Sequence, residues 1–260
     1  MTALPMTALP EIALPKTALQ TTSPALVMLH RASGAPTSAS PGGMALGAAD
    51  PFASGREVVW RNLRAAAGRV DFAGAVDVDG FPHTETMIVL AGALTLSVDG
   101  AAVVTVSSGG GAVVARGTRL RIEAAPGTRW AFHAATVGTT AEPGVTLLRA
   151  DAALTSSAAP PAEALIGSAP ACRSFNAFTD EAAKLRAGTW DSTPYARISR
   201  PHKLSELMHI LRGSVDLTAE DGTVFTVGEG ETVFVPQGAP CAWDSRVHVA
   251  KFYVVQEEVG

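Results

Sequence analysis

The chain is short of what several functions need. Its 260 residues hold only two cysteines, Cys172 and Cys241, far apart and with no Cys-x-x-Cys spacing. That excludes a disulfide framework and argues against a structural zinc site. Charged residues make up 17% of the chain and the formal charge is −4. No basic run breaks that balance, so there is no electrostatic footprint for nucleic acid or for an acidic membrane surface. No stretch is long and apolar enough for a membrane-spanning helix. The start of the chain lacks the positive region and unbroken apolar run of a secretory signal. Ser-His-Asp order, a phosphate loop and a dinucleotide fingerprint are also missing from any convincing context. The expected setting is a reducing cytoplasm, and the expected partner is a small molecule, with no nucleic acid and no membrane.

What is present in quantity is apolar material, 47% of residues, enough for two cores of ordinary size. The first twenty residues read MTALP, MTALP, EIALP, KTALQ. A proline at every fifth position removes a helix donor and clashes with the turn before it, so residues 1–24 are expected to be a flexible extension. Residues 31–55 and 151–170 are rich in Ala, Ser, Gly and Pro, a composition that cannot bury enough surface to order itself independently. The second stretch predicts a linker at 151–165 between a domain at 25–150 and a domain at 166–260.

Those two domains repeat each other. Glu85, Gly92 and Gly109 each have a partner 121 positions on, at Glu206, Gly213 and Gly230. A constant offset across three positions means two similar units in tandem. Each copy carries two β-rich runs joined by Asp-Gly, at Asp99-Gly100 and Asp221-Gly222. Asp-Gly supplies the positive φ angles of a tight hairpin. A glycine, a short apolar run and a turn follow, GGGAVVARG in the first copy and GEGETVFVPQG in the second. Short strands at regular spacing with almost no helical periodicity predict an all-β sandwich or barrel.

The second copy resembles the cupin superfamily, in the branch related to ureidoglycine aminohydrolases and to the ethanolamine-utilisation cupin. The matching marks are Gly188-x-Trp190, Glu206-x6-Gly213, Gly230-x5-Pro236-x-Gly238, Trp243 and a Lys251 followed by aromatics. The first copy matches more weakly, with Ala115 where the second has Pro236. The resemblance implies two tandem double-stranded β-helix (jelly-roll, RmlC-like) domains, a bicupin, the two barrels packing as an intramolecular pseudo-dimer in a chain that is a monomer or a homodimer. It also implies a small-molecule site in the second barrel, of the aminohydrolase type, for a hydrolytic or lyase-like reaction on a small carboxylated or ureido-type metabolite. The alternative is a non-catalytic ligand-binding or accessory cupin without metal.

The ligand positions of metal-binding cupins fall here on Arg200, His202, Glu206 and Cys241. His202, Glu206 and Cys241 together offer an imidazole, a carboxylate and a thiolate, a set that suits one divalent transition metal such as Zn, Mn, Fe or Ni. Arg200 opposes it, because a permanent cation repels a metal and can instead pair with Glu206. A third reading needs no metal: Arg200 binds a substrate carboxylate while His202 or Glu206 moves a proton. Trp190, Tyr195, Met208, Cys241 and Trp243 are expected around the pocket, and alternation along the strand sends His209 to the other face. In the first copy Phe81 and Leu120 stand where His202 and Cys241 stand, which leaves Glu85 and nearby His83 as its candidates and predicts a mainly structural barrel.

Overall fold

The computed structural model describes residues 25–35, 37 and 45–257; the predicted extension at 1–24 lies outside them. Within the described residues every regular element is a strand except one 3-10 turn, Ala162–Ala164, and every strand pairing is antiparallel. The expected all-β class is what the chain adopts.

The first barrel faces a six-stranded sheet onto a four-stranded one. The six run in the order Val145–Leu148, Gly111–Val114, Thr84–Ala91, Arg129–Ala135, Ala65–Asp71 and Arg56–Arg61. The four are Gly74–Asp79, Arg119–Ala124, Ala93–Val98 and Val104–Ser107. The second barrel repeats this with seven strands and five. Its larger sheet runs Val27–His30, Thr232–Val235, Ser205–Arg212, Val249–Gln256, Leu185–Ser192, Cys172–Asp180 and Thr155–Ser157. Its smaller sheet runs Leu165–Ile166, Tyr195–Pro201, Pro240–Ser245, Ser214–Thr218 and Val224–Gly228.

The repeated glycines have specific work. Gly213 sits at φ +79°, and a Cβ there would lie 2.2 Å from His248 O. At Gly188, the Gly of the Gly-x-Trp motif, a Cβ would lie 2.0 Å from Phe175 O, and at Gly68 of the first barrel equally 2.0 Å from Glu57 O, so in each barrel a glycine lets a neighbouring strand come close. The Asp-Gly hairpins form as expected, at Ala93–Val98 with Val104–Ser107 and at Ser214–Thr218 with Val224–Gly228. Their loops, however, run to five residues, 99–103 and 219–223, rather than two. In the second loop Asp221 accepts a bond from the Thr223 N–H, which uses the aspartate to close a longer turn.

Each barrel has its own core, around Phe52, Trp130 and Phe132 in the first and around Met208, Ile210 and Trp243 in the second. A third apolar cluster joins them. Ala67, Ile88, Val113 and Ala131 of the six-stranded sheet meet Leu29, Leu207, Phe234 and Phe252 of the seven-stranded sheet. Alanine on the first barrel's side leaves room for the phenylalanines of the second, and Trp60 lies 4.8 Å from Phe234.

Two segments depart from the expected division. Val27–His30, placed by sequence in the first unit, pairs with Thr232–Val235 and extends the second barrel's sheet. An exposed strand edge offers unpaired N–H and C=O groups, and this segment satisfies them. The expected free linker at 151–165 is also built into the second barrel. Thr155–Ser157 pairs with Cys172–Asp180 at the edge of one sheet, and Leu165–Ile166 pairs with Tyr195–Pro201 at the edge of the other. Residues 158–164 therefore strap the two sheets together across one end of the barrel. Edge pairing orders a sequence whose composition alone would leave it loose.

Candidate functional site

Alternation along Ser205–Arg212 turns Glu206 and Met208 into the second barrel and His209 to the opposite face. His209 is buried there, its Nδ1 2.9 Å from Thr232 Oγ1 and its ring stacked at 6.4 Å on Phe252. On the adjacent strand Val249–Gln256, Lys251 also points inward. Its Nζ donates to Glu206 Oε1 at 2.8 Å and lies 3.0 Å from Met208 Sδ. Trp190 and Trp243 hold the ammonium from two sides, 4.8 Å and 5.1 Å from their ring centres. Tyr195 stacks behind Trp243 at 5.4 Å.

The expected Arg200–Glu206 pair does not form; Lys251 holds that place. His202 is the second neighbour, with Nε2 3.4 Å from Glu206 Oε2 and Nδ1 2.7 Å from Leu204 O. A carbonyl only accepts, so Nδ1 carries the hydrogen and the Nε2 lone pair faces the carboxylate. Burial opposes the charge on Glu206, but Lys251, His202 and Arg197 outweigh it and hold the carboxyl below its ordinary range. For His202 burial wins over the attraction of Glu206 and lowers its pKa, so the ring is neutral at neutral pH.

Two cavities meet at this glutamate. The larger, 350 Å³, is lined by Ser157, Ser174, Arg186, Trp190, Lys251 and Tyr253 among others; the smaller, 210 Å³, by Pro160, Pro161, Arg197, Arg200, His202 and Lys203. Leu204, Glu206 and Val255 border both. Glu206 is the only acidic residue on either wall. Arg197 and Arg200 reach the same cavity because the pairing of Tyr195–Pro201 with Pro240–Ser245 slips between them; in a regular strand three residues apart would face opposite sides. The slip leaves Ile198 48% exposed.

Trp190 lines the larger cavity. Met208, Tyr195, Cys241 and Trp243 line neither, forming the wall behind Lys251. Cys241 is buried, and burial pushes its thiol up from the ordinary value. Among the described residues no group of three His, Cys, Asp or Glu side chains could hold a metal ion, so His202, Glu206 and Cys241 do not assemble into the expected set. The residues present do not fit a divalent metal: an ammonium already occupies one oxygen of Glu206, and Arg197 and Arg200 stand beside it.

The first barrel answers the same glutamate differently. Glu85 Oε2 accepts from Arg56 at 2.8 Å and lies 2.7 Å from His83 Nε2, while Arg56 Nε reaches Asp50 Oδ2 at 2.7 Å. The side chains of Asp50, Arg56 and Glu85 are wholly buried. Arg56 also lies 4.2 Å from the centre of the Phe132 ring. Burial works against the charge on Glu85, yet Arg56 and His83 bring its pKa down. His83 therefore does reach the motif glutamate, but within a network whose Asp50, Arg56 and Glu85 side chains are wholly buried. The residues that sequence reasoning missed are Lys251 as the partner of Glu206, Arg186, Ser157 and Arg56. One signal for Lys251 was available: it stands 121 positions after Trp130, which donates to Glu85 Oε1 at 3.4 Å.

No helix among the described residues is long and apolar enough to cross a membrane. The family model of the EutQ-like cupin domain matches residues 179–253. No curated protein matches the chain. Among solved structures, a protein of unknown function in the DUF861 family from Pseudomonas syringae pv. tomato str. DC3000 is 44% identical, with 89% of this chain and 99% of that one covered at a TM-score of 0.86. The putative glyoxylate-induced protein from Pseudomonas aeruginosa is 13% identical over 77% of this chain and 79% of its own, at a TM-score of 0.51, a likeness of fold alone. With the family's sequence carried over nearly the whole length of the first of these, and a EutQ-like domain in its second half, the chain belongs to the DUF861 family of cupins.

Proposed function

We propose that the second barrel is a metal-independent site for a small organic anion, a carboxylate or a ureido acid, on which His202 and Glu206 act as the base of a lyase- or hydrolase-type reaction. The observation that carries this is the meeting of His202 Nε2 and Glu206 Oε2 at 3.4 Å beside two cavities whose only other charges are positive. A proton taken from the ligand has one natural place, between that nitrogen and that oxygen. The electron pair of the broken C–H or N–H bond stays on the ligand, and the charge it develops faces the cations of the site.

Arg186, Arg200 and Lys203 at the mouth supply the attraction for an anion, and Trp190 and Tyr253 supply apolar walls. The ion-pair network around Glu85 is wholly buried, which favours a structural role for the first barrel. A binding protein without chemistry is the second reading, favoured by the lysine already seated on Glu206.

The test is calorimetric titration of the full chain with a panel of small carboxylates and ureido acids, followed by proton exchange into deuterated water for each binder. Binding weakened in Arg200→Gln, with exchange lost in Glu206→Gln and His202→Asn, supports the enzyme. Binding without exchange in the wild type leaves the binding protein. Absence of any anion binding overturns both.

A further inference from the structure

The two cavities are built as two halves of one site. Each has its own cations: Arg186 and Lys251 on the larger, Arg197, Arg200 and Lys203 on the smaller. They share a narrow common border, Leu204, Glu206 and Val255. Lys251 is engaged with Glu206, and Arg197 donates to a neutral acceptor, Cys241 O, at 2.7 Å. That leaves a guanidinium without a carboxylate partner among the described residues on each side, Arg186 on one and Arg200 on the other. A single monoanion would pair with only one of these two guanidiniums.

The strap over the barrel end follows the same division. Ser157 and Ala158 face the larger cavity, Pro160 and Pro161 the smaller. The Ser157 hydroxyl oxygen is buried without a hydrogen-bond partner among the described residues, at the wall of the larger half. A buried polar atom without a partner costs stability unless something satisfies it, and the larger cavity lies beside this one. Its place at the end of Thr155–Ser157, where the strap begins, sets it at the same half as Arg186.

We infer that the ligand is a dianion, a dicarboxylic acid in class, lying across Glu206 with one carboxylate at Arg186 and the other at Arg200, and with its central atoms under the base. This rests on the proposal that the barrel binds organic anions. It adds why there are two cationic cavities rather than one, and why the base sits on their common wall: the bond to be deprotonated lies between the two acid groups, where both cationic clusters stabilise the charge that forms.

The experiment is titration calorimetry at fixed ionic strength with malonate, succinate, glutarate and adipate, beside acetate, propionate, butyrate and valerate. The wild type is compared with Arg186→Gln, Arg200→Gln and Ser157→Ala, each checked for an unchanged melting temperature. One chain length of dicarboxylate is expected to bind at least roughly tenfold more tightly than any monocarboxylate, the gain of one further charge-assisted pair. Either arginine variant should reduce that dicarboxylate to the affinity of a monocarboxylate, whereas Ser157→Ala should weaken it severalfold without changing the preferred length. Monocarboxylates binding as tightly as dicarboxylates, with only one of the two arginines mattering, would overturn the dianion and leave the anion site standing. No binding by either series would remove both.

Discussion

Lys251 Nζ lies 2.8 Å from Glu206 Oε1 at the centre of the second barrel, on the strand beside the glutamate's own. The equivalent glutamate of the first barrel, Glu85, takes its cation from Arg56 instead, a residue three strands away in the sheet order. The same motif carboxylate is thus neutralised from two different places, and the difference decides which barrel stays open. Lys251 sits against two indoles and leaves His202 and the other oxygen of Glu206 together at the wall of a cavity. Arg56 fills its barrel and brings Asp50 with it.

Lys251→Met leaves Glu206 without its ammonium. Removing one partner of a buried pair strands the other charge, at a cost of about 3–5 kcal/mol for a fully enclosed pair. Glu206 is slightly open to solvent and keeps His202 and Arg197 near it, so the expected loss is smaller, about 2–3 kcal/mol. Urea denaturation measures it. The double variant with Glu206→Gln should recover much of the loss, and a strictly additive double variant would contradict the pairing.

Arg56→Met should cost more. Both carboxylates it serves are wholly buried, and the expected destabilisation is at the upper end, about 4–5 kcal/mol. On the proposal that the first barrel is structural, any fraction that remains folded should bind carboxylates with unchanged affinity. A variant as stable as the wild type would refute the account of this core.

Stability should fall as the pH drops from about 6.5 towards 4. His133 and His209 are buried, and burial lowers each to about 4. Neither ring nitrogen of His133 has a hydrogen-bond partner among the described residues, and His133 lies 6.1 Å from Phe234 of the other barrel. Below pH 6.5 the unfolded chain takes up these protons while the folded chain does not, so acid favours unfolding by up to on the order of 3 kcal/mol per histidine. Glu85 and Glu206, held low, add a further loss only beneath the ordinary carboxylate range. His133→Phe should reduce the slope between pH 6.5 and 4.5 in denaturation midpoints, with His209, His202 and His30, all lowered by burial, carrying the rest. An unchanged slope would show that His133 is not the group responsible.

Metal analysis of the untagged chain should find zinc, manganese, iron and nickel each well below one equivalent, and none of the four should raise the melting temperature. One equivalent that disappears in both Glu206→Ala and Cys241→Ser would restore the metal site that the position of Lys251 argues against.

Much of the fold could be read from the chain. The offset of 121 between Glu85 and Glu206 identified the tandem, and Asp-Gly with alternating residues identified the hairpins, because these are local patterns with local causes. The site was readable in part. His202 and Glu206 meet because both flank one turn and one strand. The cation at Glu206 was misassigned to Arg200, since its identity depends on which strand lies alongside and in what register.

The sequence by itself determined the repeated unit, the strand periodicity and the two glutamates, all fixed by residue spacing of a few positions. Only the tertiary structure decided that Val27–His30 closes the edge of the distant barrel, that residues 158–164 strap its mouth, and that a slip between Arg197 and Arg200 turns both into one cavity. Those outcomes rest on unpaired strand edges finding partners and on side chains arriving from separate strands. Such contacts leave no periodic mark in a single sequence.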